Sequence, residues 1–106
     1  LLDGVREFLE RFGSSRFRDF AHAGHVVQQL AGYARTEDDE RVYLFTRTGL
    51  EEACRGADFK RAVALLVARG WIKPGPDGKP SQSKRPAGLP KTTRLYEMTD
   101  AWAAHE

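Results

Sequence analysis

A chain of 106 residues, 41% hydrophobic and 30% charged, has the length for one domain with one modest core and the composition of a globular fold. No apolar run approaches the roughly 20 residues of a membrane-spanning helix, and the single cysteine, Cys54, rules out an intramolecular disulfide and suits a reduced, cytoplasmic setting. The formal charge of +2 hides an uneven distribution: residues 73–94 hold Lys73, Lys79, Lys84, Arg85, Lys91 and Arg94 against one acid, Asp77, a net of +5, while the other 84 residues carry eleven basic and fourteen acidic groups. Positive charge concentrated in one segment attracts phosphate; the alternative is a solvated, disordered loop whose lysines only keep it soluble. Frequent Ala, Arg and Gly with scarce Asn and Lys fit a GC-rich bacterial source, and the abrupt start at Leu1-Leu2 reads as a piece of a longer protein.

From the N-terminus, Val5, Phe8, Leu9 and Phe12 recur at helical spacing and predict an amphipathic helix over 3–12, capped by Asp3 and ended by Gly13. In the next stretch Phe17 and Phe20 are expected as buried anchors; Arg16 and Arg18 flank them at positions open to exposure, where arginine can contact phosphate or stack on a base but more often covers apolar surface with its stem. His22 and His25 stand three apart, but no CxxC or HExxH spacing accompanies them, so no metal is expected. Residues 26–30 are compatible with a helical turn or a strand. A hairpin follows, Tyr33 to Arg35 and Val42 to Phe45, around the acidic tip 36–40, which phosphate would repel.

Residues 48–70 read as helix, turn, helix. Thr48 and Glu51 have the spacing of a capping box, Leu50, Ala53 and Cys54 give a buried side, and Gly56 ends the first helix. Asp58 caps the second, Phe59 to Arg69, and Gly70 ends it. Phe59, Ala62, Val63, Leu66 and Val67 form its inner face, leaving Lys60, Arg61, Ala64, Ala68 and Arg69 for solvent. In helix-turn-helix docking the start of the second helix lies nearest the bases, and its free N–H groups favour phosphate, so Lys60 and Arg61 are the first candidate contacts. The outward face has no Asn or Gln to read base edges, which points to backbone contacts with low sequence specificity.

Trp71 and Ile72 start a strand, and Thr93 to Met98 form another. Between them five prolines and three glycines exclude a helix, and low apolar content predicts a long basic loop, mobile until a partner orders it. Trp102, on a short terminal helix after Thr99 and Asp100, is expected to pack on the core. The succession helix, turn, helix, strand, long turn, strand is that of a winged helix. The expected fold is therefore α+β: one winged helix-turn-helix domain over 1–106, with an N-terminal helix, a β-hairpin and a long basic wing over 71–98.

Several separated pieces carry a resemblance. They are Phe8-Leu9-Glu10 with Gly13-Ser14-Ser15-Arg16-Phe17, Ala31-Gly32-Tyr33, Val42-Tyr43-Leu44, Cys54-Arg55-Gly56 with Asp58, Ala62-Val63 and Leu66 before Arg69-Gly70-Trp71, and Arg94-Leu95-Tyr96. Together they resemble the C-terminal region of primase–helicase-type ATPases of phages, plasmids and integrative elements, which are often joined to a Toprim primase domain. The resemblance implies an ATPase motor upstream in the same chain and an accessory DNA-binding role for this piece. The matching pieces are core and turn positions and speak to fold and context.

No phosphate-cradling G-x-x-x-x-G-K-[ST] loop, no G-x-S-x-G elbow and no buried carboxylate pair is present in the sequence, so catalysis and a bound cofactor are not expected. The expected function is DNA binding by Lys60, Arg61, Arg69, Lys73, Lys79, Lys84, Arg85, Lys91 and Arg94, through the phosphate backbone. The alternative is a protein-docking module coupling the motor to a replication partner, which requires an exposed apolar patch around Leu65, Ala68 and Leu89.

Overall fold

The apolar stripe at the start of the chain winds into α1 (Leu2–Phe12), which buries Val5, Phe8 and Leu9 and packs Leu2 and Phe12 at the margin. The computed structural model describes residues 1–24 and 26–104. Asp3 is not the cap: Leu1 holds that place without a side-chain cap bond, and Asp3 lies in the first turn, where a carboxylate faces the positive end of the helix dipole. A short β1 (Phe17–Asp19) runs parallel to β2 (Gly32–Glu37), which turns back into β3 (Glu40–Phe45). Asp38 and Asp39 both have positive φ, 50° and 65°, the geometry of a two-residue hairpin turn whose twist matches its strands. The hairpin is thus longer than expected, because Thr36 pairs with Arg41 and Glu37 with Glu40. The described part of 26–30 is neither helix nor strand, and Val26 is exposed.

The helix α2 (Arg47–Ala53) starts earlier than the expected capping box. Its cap is Thr46, whose hydroxyl accepts from the Gly49 N–H at 3.0 Å and donates to the Ala31 carbonyl at 3.1 Å; Glu51 pairs with Arg47 instead of reaching back to Thr48. The shift follows from Gly49, whose place against Ala31 leaves only 2.0 Å between a notional Cβ and the Ala31 oxygen, so α2 is seated on the chain entering β2. Cys54 closes α2, with Arg55 and Gly56 in the turn that follows. Asp58 caps α3 (Phe59–Ala68) through the Arg61 N–H at 3.2 Å. Gly70, at φ +74°, ends it: the Gly70 N–H reaches the Val67 carbonyl and the Trp71 N–H reaches the Leu66 carbonyl, the paired bonds of a Schellman cap.

Strands β4 (Ile72–Lys73), β5 (Gln82–Lys84) and β6 (Thr93–Met98) complete a six-stranded sheet in the order β1-β2-β3-β6-β4, with β5 on β6, and α4 (Ala101–Ala104) follows. Side chains alternate across the sheet. Phe17, Ala34, Tyr43, Phe45 and Met98 face the three long helices and form the main core with Leu50, Leu66 and Trp71. Tyr33, Leu44 and Leu95 are buried on the opposite face under Phe20, Leu30, Val42 and Leu89. Trp102 packs on the main core edge-on to Tyr43, as expected. The protein is therefore a mixed α+β domain with four helices and a six-stranded sheet among the described residues, none of them a helix long and apolar enough to cross a membrane.

The expectation of a mobile loop over 73–94 is overturned. Its first half folds on itself, with the Gly75 N–H bonded to the Lys79 carbonyl and the Gly78 N–H to the Gly75 carbonyl. Its return arm, 85–92, lies over the second face of the sheet, where Pro86 is fully buried, Leu89 joins the apolar cluster and the Ala87 N–H bonds the Phe20 carbonyl at 2.9 Å. Three small apolar residues suffice because all of them land on a surface already prepared by Phe20, Tyr33 and Leu95.

Candidate nucleic-acid interface

Along α3 the outer residues rise one turn at a time, and the glycine-rich turn of the wing stands opposite them. Together they form a groove of about 690 Å³. Its floor and walls are Phe59, Val63, Ala64, Val67, Ala68, Pro80 and Tyr96, with Gly78 on the wing side and Arg47 and Lys60 at the rim. No carboxylate lines it among the described residues. The Phe59 and Tyr96 rings meet edge to face, 5.7 Å between centroids at 89°, and the Arg47 guanidinium lies 4.9 Å from the Phe59 centroid. Arg47 also pairs with Glu51 at 3.1 Å.

The nine candidate cations do not form one surface. Lys60 and Arg61 are exposed at the start of α3 and Arg69 at its end, about 13 Å along the axis. Lys79 is exposed on the wing turn between Gly78 and Pro80, both of which line the groove. None of these four has a carboxylate partner among the described residues. Arg94 is different: it clips the wing, donating from Nε to the Ser81 hydroxyl at 3.0 Å and from Nη2 to the Ser81 carbonyl at 2.6 Å, with Asp77 at 3.9 Å. Lys73 stands opposite Glu97 in the sheet register, with Nζ 3.8 Å from its carboxylate. Lys84 lines a smaller cleft of about 280 Å³ with Asp77 and Arg94, and Arg85 and Lys91 flank the arm over the second face of the sheet. Of the nine, the groove lining holds Lys60 alone, with Lys79 between two lining residues and Arg61 next to Lys60 on α3; Arg69, Lys73, Lys84, Arg85, Lys91 and Arg94 lie outside it.

Arg16 and Arg18 take the commoner of the two roles considered for them, covering aromatic surface, and Arg16 is buried in doing so. Arg16 is 9% exposed, makes a two-pronged pair with the Glu52 carboxylate, donates from Nε to the Gln29 carbonyl at 2.7 Å and lies about 5 Å over the rings of Phe8 and Phe12. Hydrogen bonds from Arg16 hold the Glu52 carboxyl below the usual glutamate range. Arg18 donates to the Ala87 carbonyl and lies over Tyr33, so it ties the return arm to β1.

Cys54 is buried, and desolvation pushes its thiol up to about 11, which suits a packing residue and not a nucleophile. His22 is exposed beside Asp19 at 3.4 Å; the other histidine considered with it, His25, lies outside the described residues. No group of three metal-ligating side chains occurs among the described residues.

Sequence reasoning missed Arg47, whose signal was available in the Arg47–Glu51 spacing of a helical pair, and it missed the groove. The expected apolar patch is present only in part: Ala68 lines the groove, whereas Leu65 lies outside it and Leu89 belongs to the opposite face of the sheet. Comparison with protein-family models and with curated proteins finds no match for this chain.

Proposed function

We propose that this domain is an elaborated winged helix that binds DNA, acting as the accessory end of a replicative primase–helicase ATPase of a mobile element. The winged-helix reading draws support from connectivity. Strand β3 is followed by α2, α3, β4, a long excursion that includes the short β5, and β6; β3, β6 and β4 lie side by side in that order, with β5 also on β6. The hairpin partner β2 and the parallel β1 extend that unit on one edge. The motor context rests on the family resemblance of the core and turn positions, and it makes the upstream ATPase domain the first intramolecular partner.

One observation carries the DNA reading: among the described residues the side chains of Lys60 and Arg61, exposed at the start of α3, and of Lys79, exposed on the wing turn across the groove, have no carboxylate partner, while Arg16, Arg35 and Arg94 are engaged. Lys60 in the first turn of α3 and the positive end of the helix dipole both attract phosphate, against the Asp58 carboxylate that already caps the Arg61 N–H. With no Asn or Gln on the helix face, contact is to the backbone and sequence preference is low.

The test is fluorescence anisotropy of the domain with labelled duplex, forked and single-stranded DNA at two salt concentrations. Binding should weaken with salt, and Lys60→Ala/Arg61→Ala should lower the log–log salt slope by about two. Absence of binding at low salt contradicts the reading. A second reading, a docking module for a replication protein, is favoured by the apolar floor of the groove and predicts binding that salt barely changes.

A further inference from the structure

We propose that the groove between α3 and the wing receives an unpaired nucleobase, so that the domain prefers single-stranded or frayed DNA to closed duplex. This rests on the DNA-binding reading and adds to it the form of DNA recognised. A nucleotide is flat and weakly polar at one end and anionic at the other. The groove has the complementary division: an apolar floor of Val63, Ala64, Val67 and Ala68, an aromatic end at Phe59 and Tyr96, and at the rim the unpaired Lys60 beside Arg47, whose charge is shared with Glu51. Its volume, about 690 Å³, lies within the roughly 300–1,000 Å³ of sites that enclose small molecules, so a base enters with room for its sugar.

Closed duplex fits this feature poorly. Its base edges demand hydrogen-bonding partners, and the face of α3 turned to the groove offers the Phe59 ring, methyl groups and one lysine. An unpaired base needs only an apolar or π surface to lie on, which is why binding of single strands by stacking tolerates any sequence. Ala64 and Ala68 give the approach its width, being the two exposed small residues one turn apart on the wall of the groove. Lys79, between Gly78 and Pro80 on the opposite wall, and Lys60 at the rim then stand on either side of the entering strand.

The test compares a fluorescein-labelled 15-mer of deoxythymidine with a 15-mer of abasic tetrahydrofuran residues, equal in phosphate charge, and with a 15-base-pair duplex, all at one low salt concentration. The expected result is that the full chain binds the base-bearing strand roughly tenfold more tightly than the abasic strand, the scale of one base stacked on a protein surface. Ala64→Leu/Ala68→Leu fills the groove with aliphatic bulk at exposed helix positions that leucine suits. It should erase the base preference and leave the salt-dependent component. If base-bearing and abasic strands bind equally, with steep salt dependence, the groove inference falls and phosphate binding stands. If no oligonucleotide binds at all, both fall. If an amphipathic peptide of Leu and Glu at helical spacing binds instead and the double variant abolishes it, the groove is a peptide dock and the base assignment is overturned.

Discussion

Arg16 and Lys60 are both basic residues adjacent in sequence to a phenylalanine, and the fold treats them in opposite ways. Arg16 is enclosed between α1 and α2, with every prong of its guanidinium occupied by Glu52 or the Gln29 carbonyl and its plane over Phe8 and Phe12. Lys60 lines a groove and has no carboxylate partner among the described residues. A cation that the protein has already paired is part of the scaffold, because removing it strands a partner. A cation left in water costs nothing to leave unpaired and keeps its full charge for a ligand. The same contrast divides the wing, where Arg94 is a clip and Lys79 is free.

The largest effect that sharpens this comparison is at Arg16. Arg16→Ala should lower the unfolding free energy by about 2 kcal/mol in urea titration, the scale of lost charge-assisted hydrogen bonds discounted for the half-exposed Glu52. It should leave the salt slope of DNA binding by the folded protein unchanged. Next is Leu89→Ala, expected to cost about 1 kcal/mol because Leu89 is only partly buried. Hydrogen exchange should localise the loss to the return arm and to the amide of Ala87, which now bonds Phe20.

A smaller effect is the pH dependence of the same pair. The folded Glu52 carboxyl titrates below its unfolded value, so its contribution is present above the ordinary glutamate range and is lost as pH falls through and below it. In Glu52→Gln that part of the acid dependence should be absent from the urea midpoint measured from pH 6 to pH 3. The smallest expected change in stability is at the groove: Lys60→Ala/Arg61→Ala should alter the unfolding free energy by less than about 0.5 kcal/mol, as surface changes do. A large loss there would place Lys60 with Arg16 and break the comparison. The buried thiol gives an independent check, since Cys54, raised to about 11, should react with an aromatic disulfide reagent at pH 8 only after unfolding.

What could be read from the sequence were the features set by neighbours in the chain. The stripe of α1, the hairpin, the capped and glycine-ended α3 and the whole of β6 follow from periodicity and punctuation within a dozen residues. What could not be read depends on distant partners. Nothing near Arg16 announces Glu52, 36 residues away, and nothing near Ala87 announces Phe20 or Arg18. The wing was misjudged for the same reason: its apolar content is low, but the surface that receives Pro86 and Leu89 is built by β2, β3 and β6. The cap of α2 moved from Thr48 to Thr46 because Gly49 packs on Ala31, a contact between segments that spacing alone does not encode. Of the candidate site, Lys60, Arg61 and Lys79 were legible as exposed cations, and the groove between them was not, since its two walls lie in different elements.

The most direct test of the distinction between engaged and free cations is a chemical-shift map of the labelled domain titrated with a short single-stranded oligonucleotide. Perturbations concentrated at Lys60, Arg61, Ala64, Gly78 and Lys79, with Arg47 beside them and Arg16 to Asp19 unmoved, are the predicted result. Perturbations centred on 16–19, or on the return arm 85–91 with α3 silent, would contradict it.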